Sequence, residues 1–263
     1  VLFIDSDNAM GSRRGDVDDA FAIAALLRSG VPVAALASCR GNTSERSAYE
    51  NNARIAAVLG WTGPVVRAAE ARLLLASFRG RVRILALGPL TNITGARQAG
   101  EIILVGGNAT SHGRWPPLWP FEFNLTHDRG AARDVFALDV PLTIVPLDVA
   151  RTLTVERSDL DALPGPLGNY LRRGSERWFA HLRRVRLTRH FPVYDLAAAL
   201  YALGEDGFTM IETTAIMRRN TSMTFGAGTR PVRLCVSLDR ARLWERFLGL
   251  VATPSPQPQV NAI

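Results

Sequence analysis

The first 27 residues, VLFIDSDNAMGSRRGDVDDAFAIAALL, place Asp5 and Asp7 at the end of an apolar run and Asp18 and Asp19 at the start of a helical one. Carboxylates held within a few ångströms of each other either take up protons or recruit a cation. A hard, oxygen-preferring ion such as Ca²⁺ or Mg²⁺ relieves the repulsion. Acid at a helix N-terminus is also ordinary capping, a reading that covers Asp18 and Asp19 but gives Asp7 no role. An EF-hand is excluded, because Ala9 and Met10 follow Asp7 where a ligand and a glycine are needed. More polar groups recur downstream: Asn42 in CRGNTS, Asn92 closing LGPLTN, VGGN at 105–108, Glu122 and Asn124 in WPFEFNLTHD near Trp115 and Trp119, and Asp195 in FPVYDLAAALY. Singly each reads as a cap or a turn. Their recurrence after apolar runs implies a site assembled from strand ends.

The elements that must position them follow from periodicity. Apolar, β-branched runs at 1–5, 33–38, 64–68, 81–87, 101–106 and 141–148 alternate with helical patterns at 18–28, 44–59, 89–98 and 128–138. Strands that are continuously apolar are covered on both faces, so the alternation predicts βαβ units, with function at the strands' carboxyl ends. Beyond residue 150 the pattern gives helices at 157–188, with a break, and 195–203, short strands at 208–216 and 232–238, and a helix at 239–251. The expected fold class is α/β: one domain over 1–251 with a mostly parallel central β-sheet flanked by helices, then a Pro-rich tail at 252–263.

Composition narrows the function classes. The chain has 263 residues, 47% of them hydrophobic, enough for one large core. It has no uninterrupted apolar stretch of about 18 residues, so no membrane span is expected. The apolar start is too short for a secretory signal and reads as a buried strand. All 31 basic residues behind the net charge of +7 are arginines. Their densest run, RRGSERWFAHLRRVRLTR at 172–189, reads as a solvated helix face. No RNA-binding motif and no complete GxGxxG occurs, so neither nucleic acid nor a dinucleotide is an expected partner. Cys39 and Cys235 are far apart without a CxxC, which predicts reduced thiols and a cytoplasmic protein.

Taken in order, DSDNAMGSRRGDVDD, the GN at 41–42, LGPLTN, the Gly-Gly strand end, EFN and a late Asp at a helix start resemble the inosine-uridine-preferring nucleoside hydrolase family, which opens with a strand and DxDPGxDD. The resemblance runs over residues 1 to about 250. It implies hydrolysis of the N-glycosidic bond of ribonucleosides to ribose and free base, in purine or pyrimidine salvage. It further implies a Ca²⁺ ion held by Asp7, Asp19, Asp195 and the Leu87 carbonyl, with Asp7 also the general base on a calcium-bound water. Asp18, Asn42, Glu122, Asn124 and Asp195 fall at or near the ribose pocket, and Asp5 supports the loop. Relatives are commonly dimers or tetramers, so a homo-oligomer is expected. The chemistry is consistent, since an oxocarbenium-like transition state needs an activated water on one face of the sugar and negative charge around the ring.

Several positions depart from the family pattern. The loop between Asp7 and Asp18 is longer, with Asn8-Ala9 in place of Pro-Gly, and forms either a lid or a bulge into solvent. A His- and Gly-containing segment that many relatives carry is missing between 69 and 81. Pro116 stands where relatives have an Asn. Tyr194 replaces the His that precedes the late Asp, and with a reference pKa of about 10 it is a slower acid at neutral pH. His190 and His181 are the substitutes for protonating the leaving base. Two other readings stay open. One is a metal-dependent nucleoside- or ribose-binding protein with little or no turnover. The other is a phosphatase of the haloacid dehalogenase type, whose nucleophile motif is also a strand ending in DxD. The lack of any Lys, the Asp18-Asp19 pair and the EFN loop count against the latter.

Overall fold

Apolar runs such as Leu2-Phe3-Ile4 and Ile102-Ile103-Leu104-Val105 are buried along their whole length, so they must lie between two layers of helix. The computed structural model describes residues 1–12, 15–78, 82–109, 122–185 and 188–253. Its first half runs β1 (Leu2–Ser6), α1 (Asp18–Arg28), β2 (Val33–Ser38), α2 (Glu45–Leu59), β3 (Val65–Val66), α3 (Ala68–Ser77), β4 (Arg83–Ala86), β5 (Glu101–Val105), α4 (Phe123–His127), α5 (Arg129–Phe136) and β6 (Leu142–Val145). The second half runs α6 (Leu147–Ala150), β7 (Thr154–Glu156), α7 (Arg157–Asp161), α8 (Gly165–Val185), β8 (His190–Pro192), α9 (Tyr194–Ala202), β9 (Phe208–Met217), β10 (Met223–Phe225), β11 (Arg230–Leu238) and α10 (Arg240–Ala252).

Among the described residues these form one nine-stranded sheet in the order β10-β9-β11-β6-β5-β4-β1-β2-β3. From β11 to β3 every pairing is parallel. The antiparallel strands β9 and β10 extend the β11 edge, and β7 and β8 pair separately. This is the expected single α/β domain with a mostly parallel sheet flanked by helices. The chain moves outward from β1 to β2 and β3, then returns to β4 on the other side of β1. That reversal makes the carboxyl ends of β1 and β4 a topological switch point, the place where open α/β sheets hold ligands.

One face of the sheet is covered by a core that includes α1, α8, α9 and α10. In it Phe21 packs against the rings of Phe191, Trp244 and Phe247. Every residue of α1 up to Leu27 is buried, which makes it a helix apolar on all sides apart from its two leading acids. The small residues Ala20, Ala22, Ala24 and Ala25 let it lie along α9, whose Ala197-Ala198-Ala199 run is equally buried. The second core, which includes residues of α3 and α5, covers the other face.

Several elements differ from the sequence expectation. Residues 89–98 form only a 3₁₀ turn at Leu90–Asn92, because β-branched Thr91, Ile93 and Thr94 and then Gly95 interrupt a helix. The stretch before β4 carries the helix α3, and the run at 141–148 is a strand only to Val145 before α6 begins. The break expected within 157–188 falls at 162–164, ahead of Gly165, whose φ of 67° closes the turn. Arg13, Arg14, Trp115, Pro116, Trp119 and residues 254–263 of the expected tail lie outside the described residues. Among those described, no helix is long and apolar enough to cross a membrane.

Candidate active site

β1 delivers Asp5 inside its last turn of pleat and Asp7 just past its end, and both are fully buried. Asn92 Nδ2 donates to Asp5 Oδ1 at 2.9 Å and to the Ser38 carbonyl at 3.2 Å, tying together the ends of β1 and β2 and the turn after β4. Burial pushes Asp5 up to about 7 despite the Asn92 hydrogen bond. The Asp7 carboxyl is wedged between two glycines. A Cβ on Gly41 would lie 1.9 Å from Oδ2, and one on Gly88 would lie 2.9 Å from Oδ1, so only glycine lets both turns close on it. Its Oδ2 accepts the Asn42 backbone N–H at 2.6 Å. Burial, and to a lesser degree the charges of Asp18 and Asp5, push Asp7 up to about 7 against that bond.

Three more acids sit at the N-termini of α1 and α9, where unpaired N–H groups and the helix dipoles favour negative charge. The Ser6 hydroxyl donates to Asp19 Oδ1 at 2.7 Å, as does the Asp7 backbone N–H to the Asp19 carboxyl. Asp18 accepts the backbone N–H of Asp195, so the start of α9 is fastened to the start of α1. Burial, reinforced by the neighbouring carboxylates, drives Asp19 and Asp195 well above the ordinary range. Burial raises Asp18 as well. The structure thus brings Asp7, Asp18, Asp19 and Asp195 close enough for each to feel the others' charge.

A fifth member escapes motif reading. Asp16 is half-buried, and one carboxylate oxygen of each of Asp16, Asp18 and Asp19 lies within 4.8 Å of the other two. Its Oδ1 accepts Asn42 Nδ2 at 3.0 Å, and when protonated it donates to Asp18. The DxDPGxDD pattern has a glycine two residues before its DD pair, so motif comparison passes over this position. The local signal is the D-x-D-D run itself.

The start of the loop that carries Asp16 packs inward. Asn8, Ala9 and Met10 are buried. Asn8 donates to Asn52 Oδ1 at 3.1 Å, accepts the Met10 N–H at 3.0 Å on its side chain, and accepts Asn51 Nδ2 at 2.9 Å on its carbonyl. Met10 lies in a notch of α8 where a Cβ on Gly174 would stand 1.9 Å from its Sδ, and Arg177 donates to the Gly11 carbonyl at 3.3 Å.

The remaining predicted residues spread around this cluster. Asn124 Nδ2 bridges the carbonyls of Leu87, at 2.9 Å, and Val105, at 3.2 Å, and so joins the ends of β4 and β5. The Leu87 carbonyl keeps a second lone pair. Glu122 caps α4, accepting the N–H groups of Asn124 at 3.0 Å and Leu125 at 2.5 Å, and burial pushes it up to about 8. Tyr194 opens α9 next to Asp195 and is half-buried. His190 is exposed on β8 opposite Glu156, and His181 stacks on Trp178 along α8.

Asp5 Oδ2, Asp7 Oδ1 and Asp19 Oδ2 are buried without a hydrogen-bond partner among the described residues. Orphaned carboxylate oxygens in an all-oxygen donor set fit a hard divalent cation, which removes the desolvation and repulsion that otherwise keep these groups protonated.

The profile of the inosine-uridine preferring nucleoside hydrolases matches residues 67–245. The pyrimidine-specific ribonucleoside hydrolase RihB of Escherichia coli O17:K52:H18 (strain UMN026 / ExPEC) is 29% identical over an alignment of 192 residues that covers 62% of this chain and 57% of that protein. The aligned part therefore spans little more than half of that relative. Two solved structures share the fold: a plant nucleoside hydrolase, the PpNRh1 enzyme, at a TM-score of 0.82 and 20% identity over 96% of this chain and 99% of that one, and the purine-preferring ribonucleoside hydrolase from Gardnerella vaginalis, at 0.81 and 17% over 95% and 97%. With two-thirds of the sequence inside the family profile, the chain belongs to the inosine-uridine preferring nucleoside hydrolase family.

Proposed function

We propose that the protein hydrolyses the N-glycosidic bond of ribonucleosides, releasing ribose and a free nucleobase. The observation that carries this reading is the pair of buried, unpartnered oxygens on Asp7 and Asp19, set among carboxylates from α1 and α9 at the sheet's topological switch point. Asp7, Asp19, Asp195 and the Leu87 carbonyl would hold a divalent cation, assigned here as Ca²⁺. When bound, the ion supplies positive charge that acidifies a water and grips vicinal hydroxyls.

Within that frame each residue has a task. Asp7 has one oxygen capped by Asn42 and one free, so Oδ1 is the atom that takes the proton as the water oxygen bonds to the anomeric carbon. The C–N bond breaks with its electron pair on the base nitrogen. Asp18, Asp195, Glu122 and Asn124, with Asn42 at the rim, hold the ribose hydroxyls and surround the ring with the negative charge that an oxocarbenium-like transition state requires. A 2′-deoxy substrate would leave buried polar groups unpaired, which predicts strong discrimination against it. The departing base takes its proton from Tyr194 or His190. Tyr194 is favoured by its place beside Asp195 in the first turn of α9, whereas His190 is exposed on β8.

The test is a metal analysis of the purified protein with a nucleoside panel assayed for reducing sugar. Wild type should release ribose in a chelator-sensitive way, and Asp7→Ala should lower turnover by at least about 10³-fold with unchanged circular dichroism. Wild-type-like rates in that variant would overturn the assigned base. Binding without turnover, even of an activated nitrophenyl riboside, would make the protein a nucleoside-binding member instead.

A further inference from the structure

Asp7 is useful as a base only if its two oxygens stay distinct, and the structure shows what keeps them so. Oδ2 is capped by the Asn42 backbone N–H at 2.6 Å, while Oδ1 is buried and has no partner among the described residues. The cap belongs to a two-residue turn, Gly41-Asn42, that lies against the carboxyl and cannot carry a Cβ at position 41. Pro89 lies against Gly41, but Asn42 itself is exposed and has no apolar seat. The Asn42 side chain reaches Asp16 instead, whose Oδ1 accepts Asn42 Nδ2 at 3.0 Å. Asp16 is itself held firmly. Its neighbour Gly15 is buried and donates to Ser12 Oγ at 3.0 Å, Ser12 donates to the Ala9 carbonyl at 2.9 Å, and Met10 is seated against Gly174.

We propose that Asp16 is a positioning residue for the hydrolytic reaction: through the Asn42 side chain it fixes the Gly41-Asn42 turn, and so keeps Asp7 Oδ2 capped and Oδ1 presented to the water. The inference rests on the assignment of Asp7 as the base, but the hydrogen bonds it invokes can be observed without turnover.

The experiment has two arms. In ¹⁵N–¹H spectra of the protein with saturating Ca²⁺, the Asn42 amide should lie far downfield and exchange slowly. Asp16→Ala should move it upfield and speed its exchange at least about tenfold, whereas Asp16→Asn, which keeps an acceptor for Asn42 Nδ2, should hold it near the wild-type position. An unmoved amide in Asp16→Ala overturns the proposal. In the kinetic arm, Asp16→Ala should lower kcat about 10- to 100-fold with KM and calorimetric Ca²⁺ affinity within about twofold, and introduced into an Asn42→Ala background it should lower kcat no further. A raised KM at constant kcat would make Asp16 a substrate contact, a tenfold loss of Ca²⁺ affinity would make it a metal ligand, and additive losses would uncouple it from Asn42. Each of these outcomes rejects the positioning role. If Asp7→Asn keeps wild-type turnover, the base assignment fails by itself, and the amide spectra still decide whether Asp16 holds the turn.

Discussion

At the scale of single residues, the acids of this site are costly until something neutralises them. Asp5 and Asp7 are pushed up to about 7 from an ordinary 3.8. Between about pH 4 and pH 7 the metal-free folded protein therefore binds more protons than the unfolded chain, and its stability falls as pH rises through that window. With a chelator present, the thermal midpoint should decline from pH 5 to pH 8. Saturating Ca²⁺ should abolish the decline, because the cation replaces the protons. A midpoint that rises over the same interval in chelator would contradict this account of the cluster. Asp5, Asp7, Asp18, Asp19 and Asp195 are all visible as acids at strand ends or helix starts. Asp16 is equally visible as a residue, but its role depends on the path of a loop whose length departs from the family pattern. Likewise Asn92 reads as a turn residue, and only the fold shows its amide reaching back to Asp5 and Ser38.

At the scale of elements, α1 and α9 were legible because an alanine-rich run with two leading acids, or one, has few alternatives to a buried helix aimed at the site. The short pieces were not. The stretch at 89–98 has a helix-like apolar spacing, yet β-branched residues and Gly95 stop it after one turn, and this frees Asn92 to act. The helix α4, five residues long, carries too little periodicity to be recognised, and it exists because Glu122 caps it. The glycine at position 174 looks misplaced in the middle of α8 until Met10 is found against it. Helix propensity alone predicts that Gly174→Ala stabilises the protein by up to about 1 kcal/mol. The structure predicts the opposite sign for the site: the new methyl displaces Met10, so the thermal midpoint should not rise and nucleoside turnover should fall several-fold. A stabilised variant with full activity would show that the notch is incidental.

At the scale of the whole molecule, the candidate cation donors come from residues 7, 19, 87 and 195, with the reversal of strand order between β1 and β4 at their centre. A mostly parallel sheet was implied by the alternation of apolar runs with helical patterns, whereas the placing of β1 between β2 and β4 and the antiparallel extension by β9 and β10 were left open by it. Because Asp195 reaches the cluster only once α9 has docked on α1, a complete donor set does not exist until nearly all long-range contacts have formed. If α9 docks on α1 after the rate-limiting barrier to folding, an ion that binds there arrives after it as well. Calcium should then leave the refolding rate nearly unchanged and slow unfolding instead, about 100-fold at a free concentration 100 times its dissociation constant. Such a protein would owe its persistence in a calcium-containing medium to slow escape from the native state, and stopped-flow refolding that accelerates with calcium would place the binding site earlier on the path.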